Sequence, residues 1–282
     1  MDNILSLHMD LANNTYRHDS YHAFNISDPK PRNIHKATVR DRLLHRAVYR
    51  VLYPYFDKRF IYDSYSCRVG KGTHKAIKQL QRYFWKVSKN NTKSCWVLKC
   101  DIKKFFANID QCILLHILKK HISDESAISL LKTIIRSFHS IGSGKGLPLG
   151  NLTSQLLVNI YMNEFDQYMK HQLKVKYYIR YADDFVILSE DKICLESLIL
   201  KISDFLGNNL KLSLHPYKVS IQTISSGLDF LGWVHFPTHR VLRTTTKKRM
   251  LRNLSRNPSE ESPTSYLGLL RHGDTYKIRA KI

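Results

Sequence analysis

Two aspartates stand side by side in the tetrapeptide Tyr181–Asp184 (Tyr-Ala-Asp-Asp), between two apolar segments of the chain. The segments Lys176–Arg180 and Phe185–Ser189 are rich in β-branched and aromatic residues, which predicts two strands joined by a tight turn. Like charges at the ends of apolar strands cost free energy unless the carboxylates are paired or bind a cation. The sequence therefore predicts a hairpin that presents Asp183 and Asp184 to a divalent cation.

A third carboxylate, Asp101, ends another apolar segment, Cys95–Asp101, much earlier in the chain. If this strand lies beside the hairpin, Asp101 completes a site with Asp183 and Asp184. Three carboxylates on neighbouring strands would hold two metal ions, one activating a hydroxyl nucleophile and one stabilising a leaving phosphate. The alternative is a solvated β-turn without a ligand, which the apolar strands and the basic flanks disfavour.

The positive charge of the chain is concentrated in two blocks. Lys and Arg number 45 against 23 Asp and Glu, a net charge of +22. Residues 30–104 hold 20 bases and four acids and residues 239–282 hold 11 and three, whereas residues 105–238 are nearly neutral. This pattern indicates a polyanion held from two sides. The alternative is a basic surface that only keeps the protein in solution.

Composition excludes several other classes of protein. Hydrophobic residues make up 43% of the chain, which excludes a disordered basic tail. No apolar run approaches the ~18 residues of a membrane span, and the amino terminus lacks a secretory pattern. The five cysteines form no Cys-x-x-Cys pair, so reduced thiols are expected rather than a zinc site.

Hydrophobic periodicity predicts a mixed order of elements. The predicted helices are Arg40–Phe60, a helix capped by Thr73, Asp110–Lys120, Asp124–Ser140, Asn151 to about Gln172, Leu195–Leu206 and a basic carboxyl-terminal stretch. Further strands are predicted near Leu212, at Lys218–Thr223 and at Leu228–His235, and loops at Tyr65–Gly72 and Ile141–Gly150. Because helices and strands do not alternate regularly, an α+β fold is favoured over a doubly wound one.

The chain resembles reverse transcriptases in several motifs that occur in the correct order. The Tyr181–Asp184 hairpin resembles their catalytic hairpin, and the Asp101 segment with Phe105–Asp110 resembles their first catalytic motif. The other matching segments are Ser64–Gly72, similar to the fingers of group II intron type enzymes, Gly146–Gln155, similar to the loop and helix that hold template and nucleotide, Leu212–Lys218, similar to a further palm motif, and Phe230–Trp233, similar to the primer grip. The resemblance covers residues 30–282.

The resemblance implies metal and proton-transfer roles for particular residues. Asp101 and Asp183 would bind two Mg²⁺ ions directly, with Mn²⁺ as a substitute. Asp184 would assist, and the backbone carbonyl of Ile102 would be a further ligand. Lys218 would be the general acid for the leaving pyrophosphate. Alternatively, Lys218 is a phosphate contact or a solvated lysine.

The resemblance also implies nucleotide and nucleic-acid contacts. Phe106 matches the steric gate, whose ring would exclude a ribose 2′-hydroxyl. Alternatively, Phe105 and Phe106 are core residues, and one of them is expected to be so because neighbours on a strand face opposite ways. The implied nucleotide contacts are Arg68, Lys71, Lys103, Lys104, Phe105, Phe106, Leu149 and Gly150. The implied template and primer contacts are Gln155, Phe230, Leu231, Gly232 and Trp233, with Lys247, Lys248 and Arg252, alongside Arg243 and Arg249, on one basic thumb helix.

The central loop departs from the common family pattern Gln-Gly-x-x-x-Ser-Pro. Leu149 stands at the glutamine position and Gln155 at the proline position. This form resembles the reverse transcriptases of diversity-generating retroelements, which copy a template RNA into cDNA while misreading adenines. A leucine can only pack where a glutamine would hydrogen-bond the nucleotide, so looser positioning would lower discrimination. The alternative is neutral change in a retron or group II type enzyme.

The resemblance implies a right-hand polymerase architecture. Residues 30–238 would form fingers (30–95 with 110–145) and palm (96–109 and 146–238), residues 239–282 a short thumb and residues 1–29 an amino-terminal extension. No RNase H, nuclease or maturase extension is expected after the thumb. The implied partners are a template RNA, the cDNA primer and product, deoxynucleotides and a basic accessory protein, with no membrane. The expected location is the cytoplasm, for a bacterial, archaeal or phage-encoded protein. A non-polymerising RNA-binding scaffold is the alternative from another class, which the intact carboxylates disfavour.

Overall fold

The computed structural model describes residues 2–27, 31–140, 142–256 and 261–280. In these ranges the helices are α1 (Asp2–Ala12), α2 (Val39–Asp57), α3 (Thr73–Val87), α4 (Phe105–Asn108), α5 (Gln111–Lys119), α6 (Glu125–Arg136), α7 (Leu152–Gln167), α8 (Lys192–Leu210), α9 (Thr244–Arg256), α10 (Glu261–Leu270) and α11 (Tyr276–Arg279). The strands are β1 (His22–Ile26), β2 (Arg32–Lys36), β3 (Trp96–Asp101), β4 (Tyr178–Tyr181), β5 (Asp184–Ser189), β6 (Ser220–Thr223), β7 (Leu228–Phe230), β8 (Trp233–His235) and β9 (Arg240–Leu242). The predicted boundary between residues 29 and 30 lies outside the described residues, as does Ile141. None of the described helices has the length and apolar composition needed to cross a membrane.

The central sheet has four antiparallel strands in the order β4-β5-β3-β6. Strands β3 and β5 pair from Trp96 opposite Ser189 to Asp101 opposite Asp184. A second sheet, β7-β8-β9, and a separate hairpin, β1-β2, are also antiparallel. With helices packed against these sheets, the chain has the α+β fold that the sequence predicts.

Apolar side chains alternate between the two faces of the central sheet, because neighbours on a strand point in opposite directions. On β3, Leu98 and Cys100 pack with residues of α7 and α8, whereas Val97 packs with residues of α3. All three side chains are fully buried. Helices therefore pack on both faces of this sheet, and the carboxylates at the end of β3 and the start of β5 lie at one end of it.

Short polar side chains begin several helices by accepting hydrogen bonds from backbone N–H groups that the helix leaves unpaired. Thr38 caps α2 in this way, and the predicted helix at Arg40–Phe60 is confirmed, ending at Asp57. Asp110 accepts two such bonds at α5 and Asp124 accepts one at α6. Both helices predicted at these aspartates are confirmed, and in each the aspartate is the N-cap.

Thr73 is not the N-cap that the sequence predicts. The N-cap of α3 is Gly72, whose φ of 107° favours glycine. Tyr65 N donates to Arg180 O, and Gly72 N donates to Tyr65 O, so the loop before α3 is drawn against β4. This leaves Thr73 as the first helical residue, with its hydroxyl 3.3 Å from Tyr181 Oη.

The segment Leu228–His235 is a hairpin rather than the single strand that the sequence predicts. Leu231 and Gly232 join β7 to β8, and their φ angles are 52° and 87°. Two consecutive residues with positive φ reverse the chain within a two-residue turn. The apolar pattern hid this turn because leucine is rare at such a position.

Two further predictions of local structure are wrong. Within residues 142–256, no strand begins near Leu212, and the chain there makes one isolated bridge between Leu214 and Ile102. The carboxyl-terminal stretch, predicted as helical, begins with β9, because this segment pairs with β8. The Leu214 bridge joins segments that are distant in sequence, whereas β9 pairs with β8, the strand just before it in the chain.

Gly146 is a position where the fold tolerates no side chain. Its φ is 94°, and a Cβ there would overlap the hydroxyl of Ser140, which donates to Ala107 O at 2.6 Å. We expect Gly146→Ala to lower the free energy of unfolding by about 2 kcal/mol, because backbone strain and a displaced hydroxyl both destabilise the fold. Urea titration followed by circular dichroism measures this change.

Gly207 supplies the matched control. It lies within α8, is exposed, and has no atom within 4 Å of an added Cβ. Gly207→Ala is expected to raise the free energy of unfolding by about 0.5–1 kcal/mol, because alanine is the better helix former. Similar effects of the two substitutions would contradict this account of Gly146.

Candidate active site

Three carboxylates meet where the central sheet ends. Asp101 is the last residue of β3 and lies opposite Asp184, the first residue of β5. Asp183 lies in the turn between β4 and β5, and its carbonyl accepts a hydrogen bond from Ile102 N at 3.2 Å. The structure thus brings together the three carboxylates that the sequence singles out.

The turn that carries Asp183 is only two residues long. Tyr181 pairs with Asp184, which leaves Ala182 and Asp183 between the strands. Ala182 has a φ of 56°, a left-handed conformation that costs a residue with a Cβ roughly 1 kcal/mol. Arg180 Nη1 donates to the Ala182 carbonyl at 3.0 Å, which stabilises this conformation.

Arg180 is fully buried and joins three parts of the chain. Its Nε and Nη2 donate to the two carboxylate oxygens of Asp166 on α7, at 2.8 and 2.6 Å. Nη2 also donates to Ser64 Oγ at 3.0 Å, in the loop before α3. Removing one partner from a buried ion pair costs about 3–5 kcal/mol. Sequence analysis missed this pair, and an arginine inside an apolar strand was the signal that could have found it.

Burial raises the pKa of both aspartates at the start of β5. The pKa of Asp184 is raised to about 7 by burial, opposed by Lys99 and reinforced by Asp101. The pKa of Asp183 is also raised, mainly by burial. Within the described ranges, Asp184 Oδ1 is buried and has no hydrogen-bond partner. An unpaired buried carboxylate oxygen is costly, so the donor set fits a bound cation.

Lys218 occupies one side of this site. Its Nζ lies 3.0 and 3.1 Å from the two carboxylate oxygens of Asp101. Lys99 Nζ lies 3.8 Å from Asp184 Oδ2. Across residues 2–27, 31–140, 142–256 and 261–280, no three His, Cys, Asp or Glu side chains are arranged to coordinate one ion. Coordination of one ion by all three carboxylates would therefore require Lys218 to leave Asp101 and the three side chains to rearrange.

The backbone carbonyl of Ile102 faces the hairpin. Ile102 and Leu214 form a non-hydrogen-bonded antiparallel pair. The hydrogen bonds on either side of it run from Lys103 N to Ser213 O and from His215 N to Asp101 O. The N–H and C=O of Ile102 therefore point away from Leu214, and the N–H reaches the Asp183 carbonyl. The carbonyl predicted as a metal ligand is thus directed to the side of the sheet where Asp183 lies.

Arg68 and Lys71 are bound within the fold. Arg68 Nε donates to Asp57 Oδ1 at 2.7 Å, its other nitrogens donate to three backbone carbonyls, and its side chain is only 6% exposed. Lys71 Nζ donates to Tyr62 O at 2.8 Å and lies over the Tyr62 ring. Arg68 therefore braces the loop before α3 here, which differs from the predicted contact with an incoming triphosphate.

Phe105 and Phe106 lie on the short helix α4 and not on a strand. Lys103 and Lys104 precede them and are exposed, and Lys104 has a φ of 46° that turns the chain into the helix. Phe105 is buried and Phe106 is half-buried, with their rings edge to face and 5.6 Å between centroids. One ring is in the core as predicted, but the strand argument for it is wrong. The more accessible ring belongs to Phe106, the residue at the predicted steric gate.

The β1-β2 hairpin packs on the central loop. His35 N donates to Leu149 O at 3.1 Å, and Asn151 Nδ2 donates to His35 O at 2.8 Å. The side chain of Asn151 therefore holds the hairpin and does not cap α7. A Cβ at Gly150, whose φ is 100°, would lie 2.8 Å from Ile34 Cγ2, so glycine allows this close approach.

Sequence analysis missed Arg32, which lies on the same hairpin. Its guanidinium is close enough to lower the pKa of Asp183, against the larger effect of burial. Arg32 is exposed, and an arginine so placed suits a phosphate group. A short polar strand carries no periodic signal, so only the fold brings Arg32 to the carboxylates.

The two residues that depart from the common family pattern in the central loop, Leu149 and Gln155, are both half-buried.

Of the four residues predicted as the primer grip, only the two in the turn of the β7-β8 hairpin are accessible. Phe230 and Trp233 are 0% and 2% exposed and belong to the core, so their side chains present no surface to a primer. Leu231 and Gly232 are half-exposed.

The basic residues predicted on one thumb helix do not all lie on it. Lys247, Lys248 and Arg252 are exposed on α9. Arg243 precedes α9, pairs with Asp229, and donates from its backbone N to Gly232 O at 3.1 Å. Its predicted place on the helix is wrong because these bonds attach it to the β7-β8 hairpin.

A central antiparallel sheet with carboxylates at the end of one strand and in an adjoining hairpin is the palm of a right-hand polymerase. Solved structures agree on this fold. Apo telomerase from Candida tropicalis superposes with a TM-score of 0.62 over 83% of this chain and 50% of that chain, at 12% identity. Telomerase from Candida albicans in complex with a telomeric RNA fragment gives 0.60 over 82% and 48%, at 9% identity.

The family follows from the sequence of the chain. The family model described as reverse transcriptase (RNA-dependent DNA polymerase) matches residues 26–236. The chain belongs to the reverse transcriptase family. It is 27% identical over 273 residues to Protein YkfC of Escherichia coli K12, covering 84% of this chain and 70% of YkfC. It is 24% identical over 282 residues to the group II intron-encoded protein LtrA of Lactococcus lactis, covering 75% of this chain but only 45% of LtrA.

The raised pKa of Asp184 predicts a pH-dependent cost to stability. An unfolded aspartate ionises near pH 4, whereas folded Asp184 ionises near pH 7, so the unfolded state loses its proton first. The free energy of unfolding of the native chain therefore falls as the pH rises from about 4 to about 7. We expect the stabilisation from Asp184→Asn to be larger at pH 7.5 than at pH 4 by on the order of 1–3 kcal/mol.

Urea unfolding in EDTA at pH 4, 5.5 and 7.5 measures this difference. Asp204→Asn removes an exposed carboxylate from α8, away from the site, and serves as the control for the loss of a carboxylate. A gain from Asp184→Asn that does not change with pH would refute the burial argument.

Proposed function

We propose that this protein is an RNA-directed DNA polymerase that extends a primer along a template RNA. The observation that carries the proposal is the convergence of Asp101, Asp183 and Asp184 at the end of the palm sheet in a member of the reverse transcriptase family. The primer 3′-hydroxyl would attack the α-phosphate of a deoxynucleotide, with pyrophosphate as the leaving group.

Two divalent cations are proposed as cofactors, Mg²⁺ with Mn²⁺ as a substitute. Asp101 and Asp183 would bind them, with Asp184 and the Ile102 carbonyl in support. The unpaired Asp184 oxygen and the raised pKa values support this assignment, because a cation would relieve the cost of burying ionised carboxylates. When bound, the ions activate the primer hydroxyl and neutralise charge on the phosphates.

Lys218 is proposed to have two positions. In the structure its ammonium group neutralises Asp101, and its side chain is 45% exposed, so it can swing away. Once released from Asp101, it would donate a proton to the leaving pyrophosphate. We further propose that Arg32 binds the triphosphate and that Phe106 excludes the ribose 2′-hydroxyl.

The proposed division is fingers and palm at residues 30–238 and thumb at 239–282, with residues 1–29 as an extension. The thumb would track the duplex with Lys247, Lys248 and Arg252, and the Leu231–Gly232 turn would contact the primer. Template RNA, primer and deoxynucleotides are the proposed ligands.

Primer extension tests the proposed activity. With a primed RNA, deoxynucleotides and Mg²⁺, we expect cDNA synthesis, and we expect Asp183→Ala to lower the rate by about 100- to 1,000-fold or more, because charge stabilisation at the phosphates is lost. RNA binding without any extension by the native protein would favour a non-polymerising scaffold instead.

We further propose the diversity-generating subtype, with low fidelity opposite template adenines and a basic accessory protein as partner. The support is Leu149, which engages the β1-β2 hairpin through its backbone carbonyl and offers an incoming nucleotide only an apolar side chain. A nucleotide held by packing alone would be positioned less strictly.

Leu149→Gln tests this subtype. We expect the substitution to lower misincorporation opposite adenine several-fold, because the amide adds a hydrogen bond to a correctly placed nucleotide. Leu149→Met is the control and should keep the native error spectrum. Sequencing of cDNA made on an adenine-rich template measures both, and an error spectrum unaltered by glutamine would rule out this role of Leu149.

A further inference from the structure

Helix α3 has two faces of opposite character. Its buried face carries the apolar residues Ala76, Ile77, Leu80, Phe84 and Val87. Its exposed face carries the basic residues Lys75, Lys78, Arg82 and Lys86. The sequence of α3, Thr73–Val87, contains no Asp or Glu. A solvent-facing helix usually mixes both signs of charge, so a face with bases alone needs an explanation.

The basic side chains on the exposed face of α3 have no acidic partner among the described residues. In the described ranges, none of the four forms an ion pair, whereas Lys89 and Lys93 just beyond the helix both lie near Glu190, at 3.9 and 3.5 Å. From Lys75 to Lys86 the face spans about 16 Å, because each helical residue rises ~1.5 Å. At ~3.4 Å per phosphate, that length matches roughly five phosphates of one nucleic-acid strand.

A cavity of about 370 Å³ beside α3 extends the basic surface. Gln81 of α3 lines it, and the charged or titratable residues in its described lining are His235, His239, Arg240, Arg271, His272 and Asp274. Arg240 lies over the Trp233 ring and donates to the His272 carbonyl, so its position is fixed. The rings of His272 and His74 lie 3.8 Å apart, which joins the cavity wall to the first turn of α3.

The chemistry of this surface favours nucleic acid over protein. In the described part of the chain, the large apolar side chains that are exposed lie outside α3. Protein interfaces bury aromatic and apolar anchors at their centres, whereas nucleic-acid interfaces are polar and strongly basic. The surface also lies on the sheet face opposite α7 and α8, away from the cores that those helices build.

We propose that α3 and the adjoining cavity form a second contact surface for the template RNA, which binds its phosphate backbone outside the carboxylate site. The proposal rests on the proposed function, because it assumes that the chain binds RNA. Lysine and arginine on one helix face contact phosphates without reading bases, so this surface would add affinity and no sequence preference.

The test compares two triple variants with equal loss of charge. Lys78→Gln, Arg82→Gln and Lys86→Gln together neutralise the α3 face. Lys192→Gln, Lys201→Gln and Lys211→Gln together neutralise three bases on or just after α8 and form the control. Binding of a labelled unstructured RNA is measured by fluorescence anisotropy in EDTA across a salt titration, and thermal unfolding verifies that both variants fold.

We expect the α3 triple variant to bind RNA on the order of 100-fold more weakly at 0.1 M salt, and the slope of log K against log salt to fall by about 2. The control should change both far less, and Lys78→Arg with Lys86→Arg should retain native affinity. Extension of a short primed template by the α3 variant should keep its native rate. Native binding by the α3 variant, or equal losses in both triples, would overturn the proposal.

Three outcomes separate this inference from the alternatives. If the native chain neither binds RNA nor extends a primer, the proposed function fails and the inference fails with it. If the native chain extends primers but the α3 variant binds RNA normally, only the inference fails. Competition by polyglutamate that depends on the α3 bases as strongly as RNA binding does would assign the surface to an acidic polypeptide and overturn the RNA proposal.

Discussion

The buried ion pair between Arg180 and Asp166 is the interaction on which the carboxylate end of the central sheet depends. An apolar pair of the same volume could fill the space with equal stability. It could not donate to the Ala182 carbonyl at 3.0 Å and to Ser64 Oγ at the same distance. The rigid guanidinium therefore holds three parts of the chain at fixed distances from one another: α7, the turn that carries Asp183, and the loop before α3. Packing makes the sheet stable, and this pair gives its end a defined shape.

The same region carries an electrostatic cost to folding. Burial raises the pKa of Asp183 and Asp184, and two lysines from different strands or loops lie against Asp101 and Asp184 to offset the charge. Folding energy from the apolar faces of the sheet sustains this arrangement. The fold can thus keep Asp101, Asp183 and Asp184 close together at a cost that the core supports.

Local signals in the sequence predicted what depends on local structure. The Tyr181–Asp184 hairpin, the strand ending at Asp101 and the helices starting after Asp110 and Asp124 all follow from periodicity and capping chemistry. The Leu231–Gly232 turn, strand β9 and the brace made by Arg68 were not predicted, although their partners are near in sequence. Leucine is rare at positive φ, β9 is only three residues long, and no local pattern marks Arg68 as bound within its own loop. Arg32 is the clearest case, since nothing in its strand indicates that the fold brings it near Asp183.

The hydrogen bond between His35 N and Leu149 O has a consequence for how this family can diversify. The β1-β2 hairpin binds the main chain at position 149, so the hydrogen bond itself does not depend on which side chain stands there. Under the proposed function, the side chain at this position can change while that hydrogen bond is kept. Under the proposed function, copying accuracy becomes a trait that single substitutions can adjust without passing through unstable intermediates, and an error-prone and a faithful enzyme can lie one mutation apart on the same scaffold.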